Sequence, residues 1–230
     1  AHVYRNPKLR DLYYKVNRDL TIEVAQVSKS AGVKQFIFMS SIIVYGDSSA
    51  TKRVITRDTI PTPTNFYGDS KLQAEIGLKP LESEEFKIVI LRPPMIYGPG
   101  SKGNYQKLSK LARITPIFPD YDNERSMLFI DNLCEFIRLV IIYEESGLIF
   151  PQNKEYVKTS ELVRMIAQAH GKKIWITRYL NFLIKLGLNI DVFKKLFGNF
   201  VYDKESNNKI EFTENFVSLK QSISSTERVV

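Results

Sequence analysis

The first long element that the hydrophobic pattern predicts is a helix over about residues 6–31. Asn6-Pro7 is a typical helix start, with asparagine as the N-cap and proline in the first turn. Beyond it, apolar residues recur every three or four positions along one face, at Leu9, Leu12, Val16, Leu20, Val24 and Val27. Gly32 ends this helix, and the apolar run over 33–39 predicts a buried strand.

The pattern then alternates between strand and helix. A stretch rich in Gly, Ser, Thr and Pro predicts a loop over 46–64, which precedes a helix from about Tyr67 to Leu81. The apolar run Lys87 to Leu91 predicts the next strand. Strands alternating with helices in this order are typical of βαβ units and a parallel sheet.

After Gly98-Pro99-Gly100 the pattern becomes mainly helical, with helices predicted over 104–113, 132–143 and 160–171. Ser160 is the predicted cap of the last of these helices, and Gly171 its end. We therefore predict an α/β fold with a doubly wound parallel sheet in residues 1–100. Residues 101–230 are predicted to form mainly a smaller helical lobe, with some segments that return to the sheet domain.

Composition narrows the class of protein. With 43% hydrophobic and 12% aromatic residues among 230, the chain is unlike a disordered one. The single cysteine, Cys134, excludes a disulfide-stabilised scaffold and favours a reducing compartment, so we expect a cytoplasmic protein. We expect Cys134 to be a core residue, and His2 and His170 to form no metal site with it.

The formal net charge of +8 indicates an anionic partner without identifying it. Much of the excess positive charge lies in 171–198, which contains six Lys or Arg residues and one acidic residue, interspersed with large apolar residues. A basic amphipathic stretch of this kind can lie on an anionic membrane. We favour instead a pair of lobe helices with solvated lysines, and we expect no nucleic-acid partner, because no nucleic-acid-binding motif is present.

Tyr67 and Lys71 lie four residues apart in a predicted helix, so their side chains share one face. A tyrosine with an ordinary pKa of about 10 is a poor base at neutral pH. A neighbouring lysine cation favours the phenolate and lowers that pKa. The pair is therefore a candidate acid/base that takes and returns a hydroxyl proton, although the spacing alone is a weak signal.

Further candidates follow from where the predicted strands end. Ser40-Ser41 comes directly after the strand over 33–39, and ligands of open parallel sheets bind at the carboxyl ends of strands. A hydroxyl there can hold the oxygen that Tyr67 titrates; without Tyr67, a solvated loop serine would be the better interpretation. Arg92-Pro93-Pro94 leaves the next strand at the same edge, and Arg125 is able to bind phosphate through two N–H groups.

Five blocks of sequence, read in order, resemble the extended short-chain dehydrogenase/reductase superfamily, specifically its NAD-dependent nucleotide-sugar epimerase/dehydratase branch. They are VNRD (16–19), AGVKQFIFMSSIIVYGD (31–47), NFYGDSK (65–71), LRPPMIYGPG (91–100) and RSMLFIDNL (125–133). The segment KTSELVRMIAQAHGKK (158–173) is similar to the C-terminal lobe of that family. The resemblance spans nearly the whole chain and implies a Rossmann-type sheet with a substrate lobe.

The resemblance also implies roles for individual residues. Ser41, Tyr67 and Lys71 match the catalytic residues, with Tyr67 and Lys71 at the cofactor as well. Pro93 and Pro94 fall where the backbone lines the nicotinamide. Ser41 and Arg125 are the implied substrate-binding residues, with Arg125 on the diphosphate. Asn17 matches a structural asparagine near the site, and Asn132 replaces an aspartate that makes a lobe-anchoring contact.

The Gly-rich turn with which this family binds the pyrophosphate of its cofactor has no counterpart in the sequence. The eleven glycines begin at Gly32 and form no GxxGxxG pattern. We therefore expect the N-terminal strands of the sheet to be missing from this sequence, with a fold that has lost this half as the alternative. NAD is the implied cofactor, with NADP as the alternative.

The implied activity is that of a UDP-glucose 4-epimerase-like enzyme of sugar-nucleotide or surface-polysaccharide metabolism, working through a 4-keto intermediate. Ile42 and Ile43 stand where dehydratases of the family carry an acidic pair, which disfavours dehydration. A 4-keto-sugar nucleotide reductase is the alternative reaction, and a non-catalytic binding or scaffold protein is the alternative of another class. The family's pairing through the long helix and the Tyr67 helix implies a homodimer.

Overall fold

A computed structural model describes residues 7–47, 54–187, 196–205, 210 and 213–228. The helices are α1 Arg10–Tyr14, α2 Leu20–Ser30, α3 Phe66–Leu78, α4 Asn104–Ile114, α5 Ile130–Ile142, α6 Thr159–Ala169, α7 Asn181–Gly187 and α8 Leu219–Glu227. The strands are β1 Gln35–Met39, β2 Val54–Ile55, β3 Lys87–Leu91, β4 Met95–Tyr97, β5 Ile117–Pro119, β6 Met127–Phe129, β7 Gly147–Ile149, β8 Trp175–Thr177 and β9 Val201–Tyr202.

A parallel sheet in the order β1-β3-β7 confirms the predicted α/β class. Its register pairs Met39 with Leu91 and Leu91 with Ile149, so the three strands end at one edge. Val89, Leu91 and Ile149 are fully or almost fully buried, as the continuous apolar runs of parallel strands require. The sequence pattern predicted β1 and β3; it did not predict β7, which is only three residues long.

The predicted first helix is present, but it is interrupted, and its apolar stripe is not the face that packs against the rest of the protein. A π-helical turn over Lys15–Asp19 separates α1 from α2, and the predicted N-cap Asn6 lies outside the described residues. The helix packs on α3 so closely that a Cβ at Gly77 would lie 2.2 Å from Ile22 Cδ1. The face of the helix that carries Ile22 is the one that packs on α3. The apolar stripe predicted from the sequence lies on a different face and is exposed, at Leu12, Val16, Leu20, Val24 and Val27.

Three short parallel strand pairs follow the main sheet: β4 with β6, β5 with β8, and β2 with β9. The helices α4, α6 and α8 pack together around a core that includes Leu108, Val163 and Ile223. This helical part agrees with the predicted pattern, and the division of the chain at residue 100 stays a prediction.

Two local predictions in this part of the chain are wrong. Helix α6 begins at Thr159, and Ser160 lies inside it, where its hydroxyl donates to Asp120 Oδ1 at 3.1 Å instead of capping the helix. Cys134 is exposed, since α5 turns Leu133 and Phe136 inward and Cys134 outward. Cys134 is therefore not a core residue.

Candidate active site

The Ser41 hydroxyl lies close enough to the Tyr67 phenol to lower its pKa. Ser41 follows the carboxyl end of β1, and its Oγ accepts a hydrogen bond of 3.3 Å from the backbone N–H of Ile43. This bond caps the 3₁₀ turn over Ile42–Tyr45. Tyr67 lies in the first turn of α3. The structure thus brings together two residues that are 26 positions apart in the sequence.

Gly68 explains why the start of α3 comes so close to Ser41. A Cβ at Gly68 would lie 2.8 Å from the carbonyl oxygen of Ile43, a distance that side-chain-bearing residues do not tolerate. The helix start is fixed by Asn65, whose Oδ1 accepts a 2.9 Å hydrogen bond from the N–H of Gly68. A glycine directly after the candidate tyrosine is therefore needed for the contact between the two segments.

The pKa of Tyr67 differs from the sequence-based expectation. Burial raises it, the nearby Tyr13 raises it further, and the hydrogen bond from Ser41 lowers it. The expectation that Lys71 lowers this pKa is therefore not met, because desolvation has the largest effect and Ser41 is the neighbour that lowers the pKa. The Tyr13 ring packs edge-on against Tyr67, with centroids 6.0 Å apart.

Lys71 extends the site along the same edge of the sheet. Its Nζ donates to the carbonyl oxygen of Met39 at 3.0 Å and lies 4.7 Å from the centre of the Phe38 ring. Burial lowers the pKa of Lys71, while the Glu75 carboxylate raises it. The ammonium therefore sits beside the last residue of β1, two positions before Ser41.

Pro93 and Pro94 form the adjoining wall. Both are buried, and the carbonyl oxygen of Pro93 accepts a 2.9 Å hydrogen bond from the N–H of Ile42. The loops that leave β1 and β3 are thereby joined directly behind Ser41. The cofactor-lining role implied for the two prolines remains a prediction.

A buried polar network beneath these residues escaped the sequence analysis. Arg92 Nε lies 3.0 Å from Glu75 Oε1, and Arg92 also donates to the other carboxylate oxygen. The hydroxyl of Ser40 donates to Glu75, and Arg92 Nη1 lies 2.5 Å from the hydroxyl of Tyr45. All four residues are at most 6% exposed. Nothing in the sequence pattern pairs these charges, since Glu75 lies within α3 and Arg92 directly follows β3, with no local spacing between them.

Asn17 lies near the site, as the family resemblance implied. It lies in the π-helical turn, and its Nδ2 donates to Ser70 Oγ at 3.1 Å. Ser70, which is fully buried, in turn donates to the carbonyl oxygen of Tyr67 at 2.8 Å. Asn17 thus supports the first turn of α3 and does not itself contact the Tyr67 hydroxyl in any described hydrogen bond.

Arg125 is held by a different set of contacts. Its backbone pairs with Val157 and Phe200, and its Nη1 donates to the carbonyl oxygen of Gly198 at 3.2 Å. Burial lowers the pKa of Arg125 to about 10, so an anion beside it would stabilise its charge. The β4–β6 register pairs Met95 with Met127, which places Arg125 at the same end of this pair as Pro93.

Asn132 makes an anchoring contact in spite of the change from aspartate. Its Nδ2 donates to the carbonyl oxygen of Val217 at 3.0 Å, and its Oδ1 accepts from the N–H of Val217 at 2.8 Å. It also donates to Asn153 Oδ1 at 2.9 Å. The amide therefore ties α5 to the segment before α8 through a donor and an acceptor at once.

Within the described ranges, no group of three or more His, Cys, Asp or Glu side chains is arranged to hold a metal ion. His170 pairs with Glu227 at 2.7 Å, and His2 lies outside the described residues.

The profile of a family described as "NAD dependent epimerase/dehydratase family" matches residues 1–150. A UDP-glucose 4-epimerase of Vibrio cholerae is 33% identical over 183 residues, covering 76% of this chain and 56% of the relative. An N-acetyl-alpha-D-glucosaminyl-diphospho-ditrans,octacis-undecaprenol 4-epimerase of Escherichia coli O157:H7 is 32% identical over 170 residues, covering 71% and 50%. The chain spans about half the length of these curated relatives.

A reductase is also similar: the GDP-6-deoxy-D-mannose reductase of Pseudomonas aeruginosa is 28% identical over 161 residues, covering 64% of this chain and 53% of the relative. Among solved structures, a UDP-glucuronic acid 4-epimerase of Bacillus cereus in complex with NAD has a TM-score of 0.65 at 19% identity, covering 90% of this chain and 65% of that one. This likeness confirms the Rossmann-type fold that the sequence predicts.

Proposed function

This chain belongs to the NAD dependent epimerase/dehydratase family, and we propose that it carries the proton-transfer site of a sugar-diphosphate 4-epimerase. The observation that supports the proposal best is the close approach of Ser41 and Tyr67 beside Lys71, where Gly68 lets the start of α3 pack against the Ile43 carbonyl. A phenol, a hydroxyl and an ammonium meet there at the carboxyl edge of a parallel sheet, where this class of fold binds its ligands.

Tyr67 is the acid/base of the proposed reaction. Its phenolate takes the proton from the 4-hydroxyl of the sugar, and its phenol later returns a proton to the same oxygen. Ser41, whose hydroxyl lies beside the Tyr67 phenol, donates to that oxygen and holds it in reach. Because Gly68 fixes the start of α3 against the Ile43 carbonyl, the two hydroxyl groups are held in place before the substrate arrives.

The residues beside Tyr67 fit a nicotinamide cofactor. Lys71 makes one hydrogen bond to the described residues, to the Met39 carbonyl, and further N–H groups of its ammonium suit the ribose hydroxyls. Pro93 and Pro94 would line the nicotinamide. NAD, when bound, supplies the acceptor for the hydride from the sugar carbon and gives the hydride back.

Arg125 is proposed to bind the diphosphate of the substrate. Burial lowers the pKa of its guanidinium, and diphosphate oxygens would stabilise the positive charge through strong charge-assisted hydrogen bonds. Diphosphate is shared by nucleotide sugars and polyprenyl-diphosphate sugars, and both are named among the substrates of the relatives. We propose a UDP-hexose as the substrate, with the lipid-linked sugar to be distinguished by assay.

Reduction of a 4-keto sugar nucleotide is the second candidate, favoured by the similarity to a GDP-6-deoxy-D-mannose reductase. The same Tyr67 would then donate a proton to the keto oxygen. Dehydration is disfavoured, because Ile42 and Ile43 supply no acid group after Ser41. A non-catalytic scaffold has no need for a half-buried tyrosine beside both a serine and a lysine.

The test is to incubate the full-length protein with UDP-glucose or UDP-galactose, without added reduced cofactor, and to separate the products by chromatography. We expect interconversion of the two UDP-hexoses. Epimerisation of only a polyprenyl-diphosphate sugar would show that the proposed reaction is right and the proposed substrate is wrong. Reduction of a 4-keto sugar nucleotide with added NADH or NADPH, without epimerisation, would show that the protein is a reductase and not an epimerase. No turnover and no NAD binding would support the scaffold.

Binding of the diphosphate is tested separately by calorimetry with UDP. Arg125→Ala should weaken UDP binding by roughly 10–100-fold, because a charge-assisted contact is lost. Arg138→Ala is the control, since Arg138 is an exposed arginine paired with Glu135 on α5. Equal UDP affinity in both variants would exclude Arg125 from the substrate site.

A further inference from the structure

Five large apolar side chains are exposed along one part of the surface. The exposed fractions are 78% for Ile114, 65% for Trp175, 85% for Tyr179, 59% for Phe182 and 76% for Leu186. For the segment 171–198, which contains four of the five, the sequence analysis favoured a pair of lobe helices with solvated lysines. Residues 188–195 of the predicted basic stretch lie outside the described residues.

Pairing of β8 with β5 brings two of these side chains, Ile114 and Trp175, close together. Strand β8 pairs with β5 so that Trp175 faces Ile117, and the N–H of Trp175 donates to the Pro116 carbonyl at 2.8 Å. This pairing places Trp175 next to the end of α4, which carries Ile114. The Nζ of Lys172 donates to the carbonyl oxygen of Arg113 and joins the two segments again.

The remaining three lie on one face of the helical segment after β8. Tyr179 is in the 3₁₀ turn Arg178–Leu180, which continues directly into α7 with Phe182 and Leu186. Their spacing of three and four residues puts them in one row. On the opposite face of α7, Ile184 is only 4% exposed and packs into the core. The segment is therefore anchored on one face and apolar on the other.

The charged residues in the two segments that carry these side chains are all positive. The segments 101–119 and 171–187 together contain eight Lys or Arg residues and no Asp or Glu, a number equal to the net charge of the whole chain. The exposed cations among them include Lys110, Arg113, Lys172, Lys173 and Arg178. Asp120 is the acidic group described beside them, at 3.5 Å from Arg178, whose side chain remains 85% exposed.

From this combination we propose that the surface formed by 110–114 and 172–186, the basic aromatic surface, docks on an anionic membrane. Trp and Tyr prefer the headgroup region, aliphatic and Phe side chains enter the acyl boundary, and lysines and arginines attract anionic lipids. A second copy of the chain fits poorly, because two such surfaces would repel each other. Nucleic acid would use the cations and the aromatic rings but not Ile114 and Leu186.

This proposal is independent of the proposed reaction and goes beyond it. The structure also contains, in its described part, no helix that is long and apolar enough to cross a bilayer. Contact through the basic aromatic surface would therefore be peripheral. It would be reversible and would weaken as salt screens the cations.

The experiment is sedimentation of the full-length protein with vesicles of phosphatidylcholine, with or without phosphatidylglycerol. We expect binding to the anionic vesicles only, and loss of binding at high salt. Lys172→Ala with Lys173→Ala should weaken it by roughly 30-fold, from about 1 kcal/mol for each cation near an anionic surface. Trp175→Ala with Tyr179→Ala should also weaken it, because buried aromatic area is lost.

Matched controls use equally exposed residues elsewhere. Lys79→Ala, at the end of α3, and Tyr143→Ala, at the end of α5, should leave vesicle binding unchanged. Circular dichroism and catalytic turnover in solution should be unchanged in all variants, which separates this result from a failure of the proposed reaction. Absence of vesicle binding would overturn the proposal. So would binding of duplex DNA or RNA that the basic variants abolish while vesicles are ignored.

Discussion

Arg92 and Glu75 form a buried ion pair directly beneath the candidate site, with Arg92 Nε 3.0 Å from Glu75 Oε1. Glu75 lies one turn after Lys71 in α3, and Arg92 immediately precedes Pro93. Ser40, which donates to the same carboxylate, immediately precedes Ser41. The pair therefore joins the three segments that carry the candidate site residues.

Glu75→Gln should destabilise the protein by about 3–5 kcal/mol, because it leaves the Arg92 charge buried without a counter-charge. The measurement is the free energy of unfolding from urea denaturation. The double variant Glu75→Leu with Arg92→Met should recover much of the loss, since a buried pair can be replaced by apolar side chains at little cost.

The control for this prediction is an exposed ion pair. Glu144→Gln breaks the contact of Glu144 with Lys87 Nζ at 2.9 Å, in which the Glu144 side chain is 75% exposed. Solvent screens that pair, so its loss should change the stability little. Similar effects of Glu75→Gln and Glu144→Gln would contradict a structural role for the buried pair.

Asn132→Asp, a substitution of nearly equal size, tests the anchor of the C-terminal helix. The carboxylate would lose the N–H groups that donate to Val217 and Asn153 and would face their oxygens instead. We expect a loss of about 1–3 kcal/mol in the free energy of unfolding. Asn104→Asp, at the exposed start of α4, is the control and should have a small effect. A variant Asn132→Asp as stable as the parent would show that the donor contacts are dispensable.

The sequence predicted those parts of the site that depend on local spacing. Tyr67 and Lys71 share a helix and Ser41 follows a strand, so the predicted elements made them candidates, and the family resemblance singled them out. The ion pair between Glu75 and Arg92 could not be predicted from the sequence, because it depends on how α3 packs against the end of β3. The importance of Gly68 likewise arises from the approach of a distant carbonyl.

Exposure was harder to predict than secondary structure. The stripe with Val16 and Val24 has the spacing of a buried helix face, yet packing through Ile22 and Gly77 leaves it at the surface. The pKa of Tyr67 was misjudged for a related reason. Proximity in sequence suggested Lys71 as the controlling charge, whereas burial, which no local pattern reveals, has the largest effect.

Ser41→Ala should move the pH dependence of the reaction. Burial raises the pKa of Tyr67 and the Ser41 hydrogen bond lowers it, so removal of the hydroxyl raises that pKa further. Because the phenolate is the base, activity rises with pH as Tyr67 loses its proton. The rising limb of kcat/KM should therefore shift to higher pH in Ser41→Ala, and less in Lys71→Met. An unchanged limb in Ser41→Ala would exclude Ser41 as the group that tunes Tyr67.

The exposed apolar stripe of α1 and α2 supports the expected homodimer. Val16 and Val24 are 47% and 45% exposed, and Ile76 of the neighbouring α3 is 63% exposed. Burial of this stripe in a second copy would remove a large apolar area from water. Val16→Glu with Val24→Glu should convert a dimer to a monomer in light scattering, while Tyr143→Glu should not. A parent protein that is monomeric at micromolar concentration would contradict the prediction.

The most direct measurement of the central claim is the turnover of Tyr67→Phe with a UDP-hexose. The substitution removes the phenolic oxygen and keeps the ring that packs against Tyr13. Tyr143→Phe is the control, because Tyr143 is 61% exposed at the end of α5. We predict that Tyr67→Phe lowers kcat by roughly 10²–10⁴ with UDP affinity nearly unchanged, and that Tyr143→Phe retains full activity. Near-full turnover in Tyr67→Phe would contradict the assignment of Tyr67 as the proton carrier.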